Sequence, residues 1–137
     1  MSVDPIAAVR TVLLADTAVA ALVAARIYGG EVPASAVSTM PQACIVLNGA
    51  GGPGGGGFSE YGNTRLDVIC YGATLNQSWA VYLAAYTALK QLRTAVVSTV
   101  LIHSVTPSSK GATARDPVTQ WATTLSSWLV LSAEIAA

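Results

Sequence analysis

Apolar residues near the start of the chain recur at the spacing of an α-helix. The positions that share this first helical face are Ile6, Val9, Leu13 and Leu14. The preceding pair Asp4-Pro5 is typical of a helix start, because aspartate caps free amides and proline at the first helical position loses no hydrogen bond. Asp16 resembles a second cap, so we predict a helix, a kink and a short helix from about Pro5 to Ala25.

The middle of the chain has the patterns of β-strands. Arg26-Ile27-Tyr28 predicts a short strand ended by two glycines, and 31–40 predicts a loop. The continuous apolar run 43–47 favours a strand covered on both faces. Alternation from Phe58 to Tyr71 predicts a long strand with Leu66, Val68 and Cys70 on one face and Arg65, Asp67, Ile69 and Tyr71 on the other. The segment 48–61 is then the flexible tip of a long β-hairpin.

The second half of the chain begins with a capping box at 74–77, which predicts the start of the main helix. An apolar stripe extends this predicted helix to about Val97. The remaining predicted elements are a strand at 100–106, a polar loop at 107–117 and a long final strand at 118–133. The order α-β-β-β-α-β-β predicts a single α+β domain over 1–137, with two helices packed on one face of an antiparallel or mixed sheet.

The final strand and two charged pairs supply candidate interface residues. Trp121 and Trp128 fall on opposite faces of that strand, so one of them covers a second surface, either a helix face or a neighbouring subunit. Exposed tryptophan is a favoured interface anchor, and Trp121 is our candidate. The pairs Arg65 with Asp67 and Arg115 with Asp116 are either solvated or cross-strand pairs, or salt bridges between subunits.

Composition favours contact with proteins over contact with nucleic acid. Lys plus Arg number 7 and Asp plus Glu number 7, so the net charge is zero, whereas binding to phosphates needs a clustered basic excess. Charged residues are 10% of the chain, and a charge-poor neutral surface tends to associate. The apolar stretch 11–25 is interrupted by Asp16 and too short to span a bilayer, so no membrane partner is predicted.

Candidate enzyme chemistry is weak. The loop 49–54 contains a literal G-x-G-x-x-G, but more glycine and then strand sequence follow it, where a dinucleotide fingerprint must open a helix. His103 is the single histidine, and Cys44 and Cys70 lie in apolar runs with no metal-ligand spacing. The sequence therefore predicts no catalytic residue, cofactor or metal, and it leaves open whether Cys44 and Cys70 form a disulfide.

The glycine-rich segment has a second interpretation. Seven glycines between Gly49 and Gly57 make this loop costly to order, because each fixed residue costs roughly 1–2 kcal/mol. Gly51, Gly54 and the aromatic residues Phe58 and Tyr61 at its exit could dock on a partner. The alternative is an idle surface loop.

Several blocks resemble the tail terminator (tail completion) proteins of long-tailed phages and gene transfer agents. The blocks that carry the resemblance are Asp4-Pro5-Ile6, Leu13-Leu14-Ala15-Asp16, Arg26-Ile27-Tyr28-Gly29-Gly30, Pro41 to Val46, Arg65-Leu66-Asp67-Val68, Leu83 to Leu92 and Arg115-Asp116-Pro117 before Trp121. Together they cover nearly the whole chain.

This resemblance implies a non-enzymatic virion part assembled in the bacterial host cytoplasm. Family members form a ring, commonly a homohexamer, that caps the head-proximal end of the tail tube and meets the connector or stopper protein. DNA passes through the lumen without sequence-specific binding. The alternatives are another neck or head–tail joining protein, and a small ligand-binding α+β domain that uses the Gly49–Gly57 loop.

Overall fold

The structure, a computed structural model, describes residues 5–49, 61–97 and 100–134. Its helices are α1 (Pro5–Ala15), α2 (Thr17–Val23), α3 (Ala34–Val37) and α4 (Leu75–Lys90). Its strands are β1 (Ile27–Gly29), β2 (Cys44–Gly49), β3 (Tyr61–Gly72), β4 (Arg93–Val97), β5 (Val100–Arg115) and β6 (Ala122–Glu134). The predicted α+β class is confirmed.

The strands form one sheet in the order β1-β2-β3-β6-β5-β4. β1 runs parallel to β2, and the other neighbours are antiparallel. The helices α1, α2 and α4 cover one face of the sheet, and the main core lies between them and that face. Its largest fully buried side chain is Trp128 on β6, whose ring centroid lies 5.3 Å from that of Tyr86 on α4.

The N-terminal helices bend where the sequence predicts. The Asp16 side chain accepts a hydrogen bond from the Val19 amide at 3.0 Å, and α1 and α2 meet at 89°. Arg10 Nε donates to the Ile27 carbonyl at 2.7 Å, and Arg26 Nε donates to the Ala43 carbonyl at 2.8 Å. The charge-assisted Arg10 bond ties α1 to β1, and the Arg26 bond joins the residue that precedes β1 to the residue that precedes β2.

The predicted capping box of α4 is confirmed. The Thr74 hydroxyl accepts from the Gln77 amide at 3.2 Å, and the Gln77 side-chain oxygen accepts from the Ala73 amide. One turn later, the hydroxyls of Ser78 and Thr124 are hydrogen-bonded at 3.0 Å, and both are buried. This contact places the start of α4 over β6.

The predicted end of the main helix is wrong. α4 ends at Lys90, and Arg93–Val97 is the edge strand β4, which pairs with 100–104 of β5. Thr94 has φ of 48° at the beginning of this strand. The error arises because the short apolar run 95–97 fits a helical stripe as well as a strand, and the pairing with β5 decides between them.

Two predicted loops are also corrected. The segment 31–40 contains the short helix α3, and the supposed loop 107–117 is mostly strand, because β5 continues to Arg115. β6 offers a partner along this whole length, and register shifts near Pro107 and Ser109 accommodate the irregular sequence. The final strand begins at Ala122, later than predicted, because 117–119 form a turn.

Cys44 and Cys70 are both buried free thiols. Cys70 belongs to the core, whereas Cys44 lies opposite Tyr71 in the ladder, with its sulfur 3.9 Å from the sulfur of Met40. Since Cys70 lies opposite Ile45, the neighbour of Cys44, the two thiols point to opposite faces of the sheet. Burial raises the pKa of Cys44 to about 11, although the positive charge of the nearby Arg26 lowers it in part. Burial also raises the pKa of Cys70.

These pKa shifts predict slow alkylation of both cysteines in the folded protein. At pH 8 we expect iodoacetamide to modify Cys44 on the order of a hundredfold more slowly than an unperturbed cysteine, because only the thiolate reacts. Mass spectrometry with and without 6 M guanidinium, a denaturing control, measures the difference. Equal rates in the two conditions would contradict the burial described for these thiols.

Candidate interaction surface

The sheet face turned away from α1, α2 and α4 carries two of the predicted interface residues, Arg65 and Asp67. We call it the outer face. Register and alternation assign to it Arg65, Asp67, Ile69, Tyr71, Thr123, Leu125, Ser127, Leu129 and Leu131. The neighbouring residues on β3, Leu66, Val68 and Cys70, point into the core, so the predicted division of β3 into two faces is confirmed.

Apolar side chains are exposed along the β6 part of the outer face. Leu125 is 45% exposed and Leu129 is 37% exposed, whereas the adjacent Ile69 and Leu131 are partly buried. Ile69 lies directly opposite Leu125 in the ladder, and Leu129 and Leu131 follow on the same face of β6, so these side chains form an apolar strip that is interrupted at Ser127. The exposed leucines of this strip, on a charge-poor protein, make the outer face our candidate contact surface for another protein.

A polar cluster lies within this strip, between Leu125 and Leu129. The Ser127 hydroxyl donates to Asp67 Oδ1 at 2.7 Å, Arg65 Nη2 donates to the same hydroxyl at 3.3 Å, and Arg65 Nε lies 3.8 Å from Asp67 Oδ1. Asp67 and Ser127 are neighbours across the β3–β6 ladder. The predicted Arg65–Asp67 pair is therefore an ion pair within the chain, and the half-exposed guanidinium remains accessible to a partner.

Arg115 and Asp116 organise the turn between β5 and β6. The Asp116 carboxylate accepts from the Thr119 amide at 3.0 Å and from the Val118 amide at 2.8 Å, and these bonds lower its pKa below the ordinary 3.8. Arg115 Nη1 donates to the Gln120 carbonyl at 3.0 Å. Both side chains therefore act locally, as turn-stabilising groups.

The Asp116 contacts predict a pH-dependent loss of stability. A carboxyl group whose pKa is lower in the folded protein than in the unfolded chain stabilises the fold at pH values above its unfolded-state pKa. This stabilisation is lost as the pH falls through the pKa of the folded state. We expect Asp116→Asn to be less stable than the parent in urea at pH 7, and the difference to disappear as the pH falls below the ordinary carboxyl pKa of 3.8 and through the lower folded-state value. A difference that stays constant from neutral to acid pH would contradict this role.

Trp121 covers the end of the outer face that is nearest to this turn. Its ring packs edge-on against Tyr71, with centroids 6.0 Å apart and planes at 79°. Burial raises the pKa of Tyr71, and the nearby Cys44 and Asp116 add to this shift. The prediction that Trp121 and Trp128 serve opposite faces is confirmed, since Trp128 is in the core.

The candidate residues do not converge on one point. Gly51, Gly54 and Phe58 lie outside the described residues, and of Tyr61 only the backbone is described, at the start of β3 opposite Ala133. Tyr61 and Trp121 are at opposite ends of the β3–β6 pair, so the predicted set spans the length of the sheet. This distribution suits an extended contact surface better than a small-molecule site.

The sequence analysis missed a second exposed surface, a groove on the helix side of the sheet, which we call the α4 groove. The groove has a volume of about 220 Å³ and is lined by Trp79, Tyr82, Leu83, Tyr86 and Lys110. Trp79 is 40% exposed and Leu83 is 47% exposed. The available signal was the spacing of these two large apolar residues, one helical turn apart on α4 and beside its buried stripe.

The described residues lack two other kinds of feature. They contain no cluster of three or more His, Cys, Asp or Glu side chains that could hold a metal ion. Within the same residues, no single helix is long and apolar enough to cross a bilayer. Only α1 and α2 taken together have that length and hydropathy, and they are bent by 89° where they meet.

Comparison with known proteins gives a structural likeness. No protein-family model and no curated protein sequence matches the chain. Among solved structures, the fold is similar to that of a chain in the virion of a native gene transfer agent particle, with a TM-score of 0.70 and 17% sequence identity. The match covers 93% of this chain and 92% of that chain. At this identity the likeness demonstrates a common fold.

Proposed function

We propose that this protein is a structural component of a virion and that it acts as a tail terminator. The observation that carries the proposal is the fold shared, over 93% of the chain, with a chain of a gene transfer agent virion. The sequence blocks that resemble tail terminators point to the same class of protein. In this role the protein works by shape, and it needs no catalytic centre or cofactor.

The two exposed surfaces support a repeating assembly. The outer face and the α4 groove lie on opposite sides of the same sheet, and they differ in residue content. Identical subunits close into a ring when the outer face of each one meets a different surface of the next, because such a heterologous contact closes when its rotation permits. We propose a homohexamer, with the strip around Leu125 and Leu129 buried at a protein contact.

The proposed partners are further copies of the chain, the tail tube protein and the head–tail connector or stopper protein. The ring would stop tube polymerisation in the bacterial host cytoplasm and remain in the finished virion, while DNA passes through its lumen. A net charge of zero fits contact with proteins and passage of DNA without tight binding.

Size-exclusion chromatography with light scattering tests this function. We expect a closed ring, either of the chain alone or after mixing with purified tail tubes, and we expect the capped tubes to stop growing. A chain that stays monomeric with tubes present and does not limit their length would overturn the proposal. Binding to connectors but not to tubes would favour a different neck protein, and nucleotide binding by a monomer would favour the ligand-binding alternative.

The glycine-rich segment provides a separate prediction within this function. Deleting Gly51–Gly56 should leave the melting temperature of the chain nearly unchanged and should weaken its docking on tail tubes. Electron microscopy of tube ends, counted as capped or bare, measures the effect. Unchanged capping by the deletion variant would remove this segment from the docking surface.

A further inference from the structure

One half of β5 is an open sheet edge. β4 pairs with β5 only between Val100 and Ser104, and beyond that point no other strand of the described chain lies on the side of β5 away from β6. The backbone from Thr106 to Arg115 therefore presents hydrogen-bonding groups at an edge, as an edge strand does. The edge is open because β4 has five residues and β5 has 16, so β4 covers only the beginning of its neighbour.

The groove lies beside this open edge. A Cβ added to Gly111 on β5 would lie 2.8 Å from the Tyr82 ring, so the strand and α4 are in close contact there. The neighbouring Lys110 lines the groove together with Trp79 and Leu83, which remain exposed. A strand added beside β5 would place every second side chain beneath these apolar residues.

The edge also carries features that restrict what can pair with it. Pro107 has no amide hydrogen, Lys110 is a charged residue on the edge, and two register shifts lie between Pro107 and Ala112. Such features prevent indiscriminate strand pairing between edges. They favour a selective site over a general aggregation surface.

Charge indicates which segment would fit. α4 and β5 contain no acidic residue, whereas Lys110 lines the groove and Lys90 Nζ lies 5.5 Å from the ring centroid of the groove residue Tyr86. We propose that the β5 edge from Thr106 to Arg115, together with the α4 groove, binds an extended peptide arm of a partner protein, rich in apolar and acidic residues, as an added strand. Strand addition of this kind takes affinity from main-chain hydrogen bonds and specificity from alternate side chains. The inference goes beyond the proposed function and does not require ring formation.

A designed peptide tests the proposal on the isolated chain. The probe is a capped decapeptide in which threonine occupies every second position and leucine and glutamate alternate between them. With millimolar probe, we expect amides in 106–115 to exchange hydrogen on the order of tenfold more slowly, measured by mass spectrometry. A matched peptide with lysine in place of glutamate should give little protection. No protection by the glutamate peptide, or equal protection by both, would overturn the proposal.

Three variants locate the binding site. Leu83→Asp and Lys110→Glu should each abolish most of the protection, while Val37→Asp, an equally exposed apolar position on α3, should leave it intact. Thermal unfolding of each variant checks that it is folded. Protection that survives both groove substitutions would contradict the assigned site, and this result would be independent of any test of tail capping.

Discussion

Replacing Leu125 and Leu129 together with aspartate is expected to leave the chain folded and to abolish its assembly. Both side chains are substantially exposed on the outer face of β6, so little core packing is lost. Because less than half of each leucine remains exposed, its burial in an assembly would contribute roughly 1 kcal/mol, and a buried unpaired carboxylate in its place would cost more. We expect association to weaken by at least about a hundredfold, or about 2.7 kcal/mol, in light-scattering measurements.

Matched variants make this result specific. Val37→Asp changes an equally exposed apolar residue on α3 and should assemble normally. Arg65→Ala, beside the apolar strip, should have an intermediate effect, since the exposed part of its guanidinium can meet a partner. Normal assembly of the doubly substituted protein would exclude the outer face as the subunit contact.

Replacing Gly72 with alanine is expected to destabilise the fold strongly, although it adds only one methyl group. The added Cβ would lie 2.5 Å from the Ser78 amide nitrogen and 2.9 Å from the Gln77 carbonyl carbon. These are backbone atoms of the first turn of α4, so β3 and the helix would have to separate. We expect a loss of about 2–3 kcal/mol and a fall in melting temperature of about 10 °C.

Gly29→Ala is the control for this substitution. Gly29 lies at the end of β1, and an added Cβ there has no atom within 4 Å. The control should change the free energy of unfolding by no more than about 0.5 kcal/mol. If the two variants unfold at the same temperature, the close approach of β3 to α4 at Gly72 is not as described.

The two exposed surfaces of the protein have different properties. The outer face combines an apolar strip with the hydrogen-bonded cluster of Arg65, Asp67 and Ser127, so it offers both burial and a defined polar contact. The α4 groove is aromatic, basic and adjacent to an open strand edge. A subunit that contacts its own copies through one surface and a partner arm through the other would meet the needs of a component within a larger particle.

Local signals in the sequence were sufficient for several elements. The caps at Asp16 and Thr74 act through side-chain bonds to amides three residues away, so their positions are visible in a short window of sequence. The alternation along β3 likewise follows from burial of one face alone. The bend of the N-terminal helices, the start of α4 and the two faces of β3 were therefore predicted correctly.

Elements that depend on a distant strand were not predicted. The sequence pattern places β4 in the main helix and the far half of β5 in a loop, because the strand character of these segments comes from pairing with β5 and β6. The α4 groove was not predicted for the same reason, because it forms where β5 packs closely against α4 at Gly111. Arg115 and Asp116 could be recognised as a charged pair, but only the turn geometry assigns them to stabilising that turn.

The amino-acid sequence by itself determined the α+β class, the helix starts, the separation of Trp121 from Trp128 and the scarcity of charge. Each of these depends on composition or on residues close together in the chain. The tertiary structure alone decided which strands are neighbours, where the edge of β5 is open and which apolar side chains remain exposed on either side of the sheet. Contacts between residues far apart in sequence set those features. A short window of sequence does not show which of these contacts form or how strong they are.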